Sequence, residues 1–423
     1  MSFLVRPSGK TFRTTGMTVL SLLALAGCSS EYEAPAPAPV VRNTVGVMLP
    51  LSGSNARLGN EMLNGIKVAL TGTGAPALDV KDSAAPGGAS AAISQMVSAH
   101  DGIILGPLTS QDAEIISPAA QQAGVPVLTF TSDVQRARPG MWVLGITPRQ
   151  QVERLVHAGK AEGRIRFAAF LPATPFGKAL GNALSEICAL EGLPSPKVVY
   201  HQKDMAGLKK DFESLLGIQS SPEVEKTADA EALPDALAQA LHTSEPPASG
   251  DEVAQAAPPV PTAPDLTFDA LLLGDTGLAL KEIIDEISAA KVGVPQVRIM
   301  GPTLWASFSG KLSALRGAWY PGTDPTARQA FVAQFRTAYH HAPTPLADIA
   351  FDGAMIAASV NRDSGGKGYP SSLLTRSAGY HGPDGVLKLM PDGVTERSLV
   401  LFEIQPVGPG RLVPGSSSVA DAH

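Results

Sequence analysis

Cysteine is nearly absent from this chain, which has two in 423 residues. A disulfide framework and a thiolate zinc site are therefore excluded, and stability has to come from packing. Aromatic residues make up only 5% of the chain, and the formal net charge is -6. Because Lys and Arg are not in excess, the chain cannot neutralise a phosphate backbone, and we expect no nucleic-acid partner.

The usual catalytic signatures are also missing. The sequence has no phosphate-binding P-loop, no Gly-x-Gly-x-x-Gly fingerprint, no His-Glu-x-x-His metal motif and no Gly-x-Ser-x-Gly nucleophile elbow. Histidines are scattered, and the adjacent pair His340-His341 falls at the end of a predicted helix, where positive charge complements the helix dipole. The sequence therefore predicts no enzyme, no catalytic residue, no metal site and no cofactor.

Residues 1–27 are a predicted lipoprotein signal peptide. Three basic residues precede an apolar run, 17–26, which is too short to cross a bilayer but has the length of a signal-peptide core. The run ends in Leu-Ala-Gly-Cys28, which resembles the bacterial lipobox, and this resemblance implies lipidation of Cys28. The alternative is an ordinary secretory signal with an incidental Cys28. Ser29 stands where inner-membrane retention uses Asp, which favours the outer membrane.

Three further segments have the composition of extended or unstructured chain. Residues 28–42 alternate Pro and Ala and predict a lipidated tether, and residues 409–423 predict a flexible tail. Residues 220–264 contain eight Pro, eight Asp or Glu and no aromatic residue, so they cannot bury enough surface to offset the entropy of ordering. We predict a disordered acidic insertion there, either a solvated surface feature or an arm that contacts a partner.

Elsewhere, apolar strand-like runs alternate with amphipathic segments, as in 44–49 (TVGVML) followed by a turn and a helix-like segment at 58–70. Strands that are apolar on both faces and alternate with helices are typical of parallel sheets covered on both sides. A second series begins after 147–151, so the sequence predicts an α/β fold with two lobes. Near the end, Asp392-Gly393 predicts a hairpin turn between 385–389 and 398–405.

Small polar loops follow the predicted strands in both lobes. In an open parallel sheet, ligands bind outside the carboxyl ends of the strands, so these loops are candidate ligand sites. Thr109 and Asp112 also have the spacing of a capping box, at a helix N-terminus that favours a carboxylate. The candidate cleft residues are Ser52, Gly53, Thr109, Ser110, Thr129, Phe130, Thr131, Ser132, Phe176 and Asp275.

Four segments taken together carry a family resemblance: 47–53 (VMLPLSG), 103–110 (IILGPLTS), 123–128 (AGVPVL) and 350–354 (AFDGA). They resemble type I periplasmic binding proteins of the leucine/isoleucine/valine-binding kind. The resemblance implies two Rossmann-like lobes with three crossovers, the type I periplasmic binding protein fold. The implied domains are lobe I at 43–146 plus 322–377 and lobe II at 147–321 plus 378–408.

The segment 382–404 resembles one branch of this family in particular. Its Gly382-Pro-Asp-Gly-Val motif and the later Glu396-Arg397-Ser-Leu resemble the penicillin-binding-protein activators, which are outer-membrane lipoproteins that stimulate peptidoglycan synthases. This resemblance implies a non-catalytic envelope lipoprotein whose partner is a penicillin-binding protein. Enteric activators also carry an N-terminal helical-repeat domain, whereas residues 28–43 alone separate the predicted signal peptide from the first strand.

The alternative function is a solute-binding lipoprotein that delivers amino acids or amides to an ABC permease. In this interpretation Ser110 and Thr131 hold the carboxylate of a small amino-acid-like ligand. Asp275 meets the ammonium group, and Phe130 or Phe176 lines the apolar part. The two interpretations share the fold and differ in whether a small molecule occupies the space between the lobes.

Overall fold

Parallel strands form two separate sheets, and apolar side chains cover both faces of each. The computed structural model describes residues 42–202, 205–217 and 266–416. In the first strand, Val45, Val47 and Leu49 enter one apolar cluster, whereas Met48 enters another on the opposite face. Because successive side chains of a strand point to opposite faces, this strand is buried on both sides, as its continuous apolar run predicts.

The strands of the described residues are β1 (Val45–Leu49), β2 (Leu78–Asp82), β3 (Ile103–Leu105), β4 (Val127–Thr129), β5 (Met141–Val143), β6 (Phe167–Pro172), β7 (Lys197–His201), β8 (Ala270–Leu273), β9 (Arg298–Met300), β10 (Trp319–Gly322), β11 (Tyr380–Gly382), β12 (Gly385–Leu389), β13 (Thr395–Arg397), β14 (Val400–Glu403) and β15 (Arg411–Leu412). The first sheet has the order β2-β1-β3-β4-β5, and all its pairs are parallel. The second has the order β15-β14-β10-β9-β8-β6-β7, in which β14 and β15 are antiparallel to their neighbours.

The helices of the same residues are α1 (Ala56–Ala69), α2 (Gly88–Ser98), α3 (Ser110–Ala123), α4 (Pro148–Ala161), α5 (Pro175–Leu190), α6 (Met205–Leu216), α7 (Gly277–Ala289), α8 (Pro325–Tyr339), α9 (Pro345–Asp363) and α10 (Ser371–Leu374). Several begin with a capping threonine followed by proline. Thr147 forms a capping box with Gln150, and the Thr174 hydroxyl accepts from the backbone amide of Gly177. These pairs satisfy amides that the first helical turn leaves unbonded.

The first lobe is completed by helices from late in the chain. Helix α9 packs along α1, and Ala350 and Ala354 share the apolar cluster of Val45 and Ile66. In the second lobe, α4 and α5 pack on one face of the sheet, whereas α6 and α7 pack on the other. Three segments connect the lobes: 144–147 before α4, 323–324 before α8, and 398–399 before β14. The predicted class, an α/β type I periplasmic binding protein fold with two Rossmann-like lobes and three crossovers, is confirmed.

The C-terminal region differs from its prediction. Asp392-Gly393 does form a turn, but it joins β12 to β13 in a small antiparallel sheet, and β14 instead pairs with β10 of the second lobe. The predicted hairpin partner was therefore wrong, since the chain reverses within a few residues of the turn. Tyr380 and Leu389 belong to the apolar cluster of the first lobe, so the predicted assignment of 378–408 to lobe II fits β14 but not β11–β13.

Some predicted features lie outside the described residues, and the predicted tail lies partly within them. Cys28, the tether and the acidic insertion at 220–264 lie outside them. The predicted flexible tail is partly ordered, because Arg411 and Leu412 form β15 and Ser416 is buried. Within the part of the chain that the structure describes, no helix is both long and apolar enough to cross a membrane.

Candidate ligand site at the carboxyl ends of the strands

The predicted cleft residues lie at the carboxyl edges of the two sheets. Those of the first lobe follow β1, β3 and β4, whereas Phe176 follows β6 and Asp275 follows β8. The chemistry available at this edge depends on which of their polar groups are free.

The loop after β1 is exposed and held by Asp82. Ser52 and Gly53 are both exposed, and the glycine has a φ of +71°, a left-handed conformation that favours glycine. Burial opposes ionisation of Asp82, but hydrogen bonds from the Ser52 hydroxyl and from the amides of Ala84 and Leu51 outweigh it and lower the pKa of this carboxyl group. The Ser52 hydroxyl is therefore engaged by its own lobe.

The loop after β3 uses its hydroxyls to start α3. The Thr109 oxygen accepts from the amide of Asp112 at 3.0 Å, which is the predicted cap. The Ser110 hydroxyl donates to the Asp133 carboxylate, which lies 3.2 Å from the guanidinium of Arg136. The Ser110 hydroxyl hydrogen is therefore committed to Asp133 and is not free for a ligand carboxylate in this arrangement.

The polar side chains at the end of β4 and just after it are also bonded within the first lobe. The Thr129 hydroxyl donates to the carbonyl of Pro107 at 2.9 Å, and the Thr131 oxygen accepts from the amide of Asp133 at 3.1 Å. Phe130 is only 3% exposed and lies in the apolar cluster of the first lobe. Ser132, the last member of this group, is exposed. The aromatic side chain therefore packs in the core and does not line an open cleft.

In the second lobe, Phe176 is half-buried against the apolar cluster on the α4 and α5 face. Asp275 is 5% exposed, and its Oδ2 atom lies 3.0 Å from Nε2 of His201, the last residue of β7. His201 Nδ1 lies 3.0 Å from the carbonyl of Gln202, and since a carbonyl can only accept, this nitrogen carries a hydrogen. The Asp275 carboxylate is thus already paired with a buried imidazole.

The environment of His201 favours its charged form. Burial lowers the pKa of His201, but the hydrogen bonds to Asp275 and to the Gln202 carbonyl outweigh it, and the net pKa is raised. The imidazole ring stacks on Phe170 at a centroid distance of 4.5 Å. Local sequence patterns could not predict this pair, because 74 positions separate the two side chains.

Cavities lie elsewhere on the described residues. One of about 440 Å³ lies between the carboxyl ends of α1 and α9, and one of about 30 Å³ lies beside Val292 in the second lobe. None of the predicted cleft residues lines either cavity. The predicted groups are thus brought to one edge of the two sheets, and several of them are bonded within the chain.

A buried charge cluster, which we call the Arg397 cluster, joins two of the motifs that carry the family resemblance. It consists of Arg397, Asp352 and Asp384, with side chains 0%, 0% and 3% exposed. An Arg397 Nη1 atom lies 2.9 Å from Asp352 Oδ2 and 3.1 Å from Asp384 Oδ2. Among the described residues no group of His, Cys, Asp or Glu is arranged to hold a metal ion. The positive group that faces both carboxyl groups is the Arg397 guanidinium.

Burial dominates the acid–base properties of these carboxyl groups. It raises the pKa of Asp352 well above its ordinary value and that of Asp384 in the same direction, in both cases against the opposing effect of Arg397. Nearby, Asp348 accepts from Arg328 at 3.1 Å, and burial raises the pKa of Asp348 to about 7 despite this bond. The motifs that carried the family resemblance therefore supply a buried ionic network.

Comparisons with known proteins agree with this fold. A family model described as "Periplasmic binding protein" matches residues 43–219. The resemblance to type I periplasmic binding proteins is confirmed. A comparison with curated protein sequences finds no significant match.

Solved structures extend the likeness over most of the chain. Full-length LpoA from Haemophilus influenzae has a TM-score of 0.61 and 16% identity over 88% of this chain and 58% of its own. The C-domain of LpoA from the same organism, described as a regulator of PBP1A, has a TM-score of 0.59 and 17% identity over 88% of this chain and 99% of its own. An ABC transporter substrate-binding protein from Desulfitobacterium hafniense in complex with Leu has a TM-score of 0.58 and 15% identity, covering 88% and 99%. The chain thus spans 58% of full-length LpoA, and the likeness establishes the fold.

Proposed function

We propose that this protein is a non-catalytic envelope lipoprotein that regulates a peptidoglycan synthase, a penicillin-binding protein, through protein contacts. The observation that carries the proposal is the occupied state of the predicted ligand groups. Ser110 and Asp275, which a bound amino acid would need, have their hydroxyl hydrogen and their carboxylate already engaged within the chain. The similarity to the C-domain of LpoA, a regulator of PBP1A, supports the same function.

The interlobe edge offers apolar side chains for such a contact. Leu278, in the first turn of α7, is 79% exposed, and Leu304, in the short helix after β9, is 55% exposed. Both follow strands of the second sheet at its carboxyl edge. Exposed large apolar side chains grouped near one edge are typical of protein-contact surfaces.

A binding measurement tests the regulator function. We expect the full-length protein in detergent to retain a purified bifunctional penicillin-binding protein. We also expect it to raise the rate at which that enzyme cross-links peptidoglycan. Changing Leu278 and Leu304 together to Ser should weaken retention at least about tenfold, because fully burying a leucine side chain contributes about 1.5–3 kcal/mol and both residues would lose it. Leu190→Ser is the matched control, since Leu190 is 68% exposed but lies at the far end of α5.

The alternative, delivery of amino acids or amides to an ABC permease, is tested on the same protein. It is favoured by the likeness to the Leu-bound substrate-binding protein. If an amino acid at about 100 times its dissociation constant stabilised the protein by about 2.7 kcal/mol, while no penicillin-binding protein was retained, the regulator proposal would be overturned. A variant lacking residues 220–264 with reduced retention would identify the acidic insertion as a contacting arm.

The proposed anchor is Cys28, with outer-membrane sorting favoured by Ser29. Metabolic labelling with a radioactive fatty acid should mark the wild-type protein and leave Cys28→Ser unlabelled, because a serine hydroxyl does not replace the thiol in the lipobox. Cys188→Ser serves as the control and should stay labelled. Equal labelling of Cys28→Ser would contradict the lipobox assignment.

A further inference from the structure

We propose that the Arg397 cluster fixes the angle between the two lobes, because it ties all three connecting segments to one buried set of charges. The inference concerns the lobes themselves and needs neither a partner nor a ligand, so it goes beyond the proposed function. Its basis is the position of the cluster, which lies where the chain passes from one lobe to the other.

The first connection, 144–147, is bonded to the cluster directly. Arg397 Nη2 donates to the carbonyl of Leu144 at 2.9 Å. Gln150, in the first turn of α4, donates through its side chain to the carbonyl of Thr395, two residues before the guanidinium-bearing position. The start of a second-lobe helix is therefore attached to β13.

The second connection, 323–324, reaches the cluster through a carboxylate. The Thr323 hydroxyl is hydrogen-bonded to Asp384, the residue that also pairs with Arg397. Immediately beyond it, Arg328 of α8 pairs with Asp348 of α9, one helical turn before Asp352. The segment that returns to the first lobe is thus bonded to Asp384 at Thr323, and α8 is paired with α9 through Arg328.

The third connection, 398–399, begins at the cluster itself. Arg397 is the last residue of β13, and β14 of the second sheet starts at Val400. From the second lobe, Arg154 of α4 donates to the carbonyl of Leu399 at 2.8 Å. The amide of Ser398 donates to the carbonyl of Val386 at 3.0 Å, which fixes the segment to β12.

Burial makes this tie resistant to motion. Rotation of one lobe about the connections would shift Leu144, Thr323 and Arg397 relative to one another. Such a shift would break the hydrogen bonds that Arg397 and Asp384 make to Leu144 and Thr323, and a buried charged group that loses a hydrogen-bond partner without access to water is strongly disfavoured. The neighbouring backbone leaves no room either, since a side-chain carbon at Gly382 would lie within 1.9 Å of Asp352 Oδ1.

Distances between spin labels test the inference. One label replaces Gln121, exposed on α3 of the first lobe, and the other replaces Ala289, exposed at the end of α7 of the second. The full chain carries Cys28→Ser and Cys188→Ala, so that only the introduced thiols react. We expect one narrow distance distribution in this parent and at least a twofold broader one after Arg397→Met.

Two comparisons separate a released hinge from unfolding. Arg57→Met, at an exposed position of α1, should leave the interlobe distribution unchanged. A label pair at Gln121 and Lys67, both exposed in the first lobe, should stay narrow in the Arg397→Met protein. If that pair broadens as well, Asp384→Asn, which keeps the side-chain shape and removes the charge, replaces Arg397→Met. An interlobe distribution as narrow in the deciding variant as in the parent would overturn the inference.

Discussion

Arg397→Met is expected to lower the free energy of unfolding by about 3–5 kcal/mol, because removing one partner of a buried ion pair leaves the other charge uncompensated. Here two carboxylates, Asp352 and Asp384, would lose their shared guanidinium. The measurement is urea-induced unfolding followed by circular dichroism at neutral pH. Methionine retains much of the apolar stem of arginine, so the loss reports charge and hydrogen bonding more than packing.

A second substitution and a control test whether the loss of stability comes from the buried charges. Adding Asp384→Asn to Arg397→Met removes one of the stranded carboxylates and should recover part of the lost stability. Arg57→Met, at an exposed site, should change the free energy of unfolding by no more than about 0.5 kcal/mol. A loss below about 1 kcal/mol in Arg397→Met would contradict a buried ionic network at this position.

Asp275→Asn is expected to destabilise the protein strongly at pH 6, by about 3 kcal/mol, and less at pH 9. The pKa of His201 is raised in the folded state, so the stability contributed by its charged form is complete below its ordinary value of 6.5. That contribution is lost as pH rises through the raised pKa. The variant has no such contribution, and the difference between it and the wild type should therefore shrink with increasing pH.

Unfolding in urea at both pH values measures this difference. Asp285→Asn is the matched control, since Asp285 pairs with Lys281 on the surface of α7, with side chains 59% and 66% exposed. Solvent screens such exposed pairs, so the control should change stability very little at either pH. A difference between Asp275→Asn and wild type that grows from pH 6 to pH 9 would contradict the assignment of His201 as the charged partner.

The sequence predicted what local spacing determines. The apolar run at 44–49 marked a doubly buried strand, and the three-residue spacing of Thr109 and Asp112 marked the cap of α3. Asp392-Gly393 correctly marked a turn, because turn chemistry is set by adjacent residues. The prediction that 385–389 pairs with 398–405 was wrong. Strand β14 pairs with β10 instead, and this pairing depends on contacts between segments that are distant in the chain.

Side-chain partners across the fold were beyond such patterns. Asp275 was predicted to face the ammonium group of a ligand. In the structure its carboxylate instead faces His201, which lies on the other side of the acidic insertion in the sequence. Arg397 and Asp352 are 45 positions apart and were singled out only as family markers. Charge balance in a buried cluster depends on three-dimensional proximity, and one sequence carries no signal of it.

The packing of α9 on α1 has a consequence for folding during synthesis. The chain leaves its N-terminal end first, so β1 and α1 emerge long before the residues that complete their apolar cluster, Ala350 and Ala354. The strands β6–β10, by contrast, are contiguous in the chain and meet their helices α4–α7 early. The last strands of the second sheet, β14 and β15, also come late, so neither lobe is complete until the final quarter of the polypeptide has been synthesised, and until then the first lobe exposes apolar surface that is prone to aggregation.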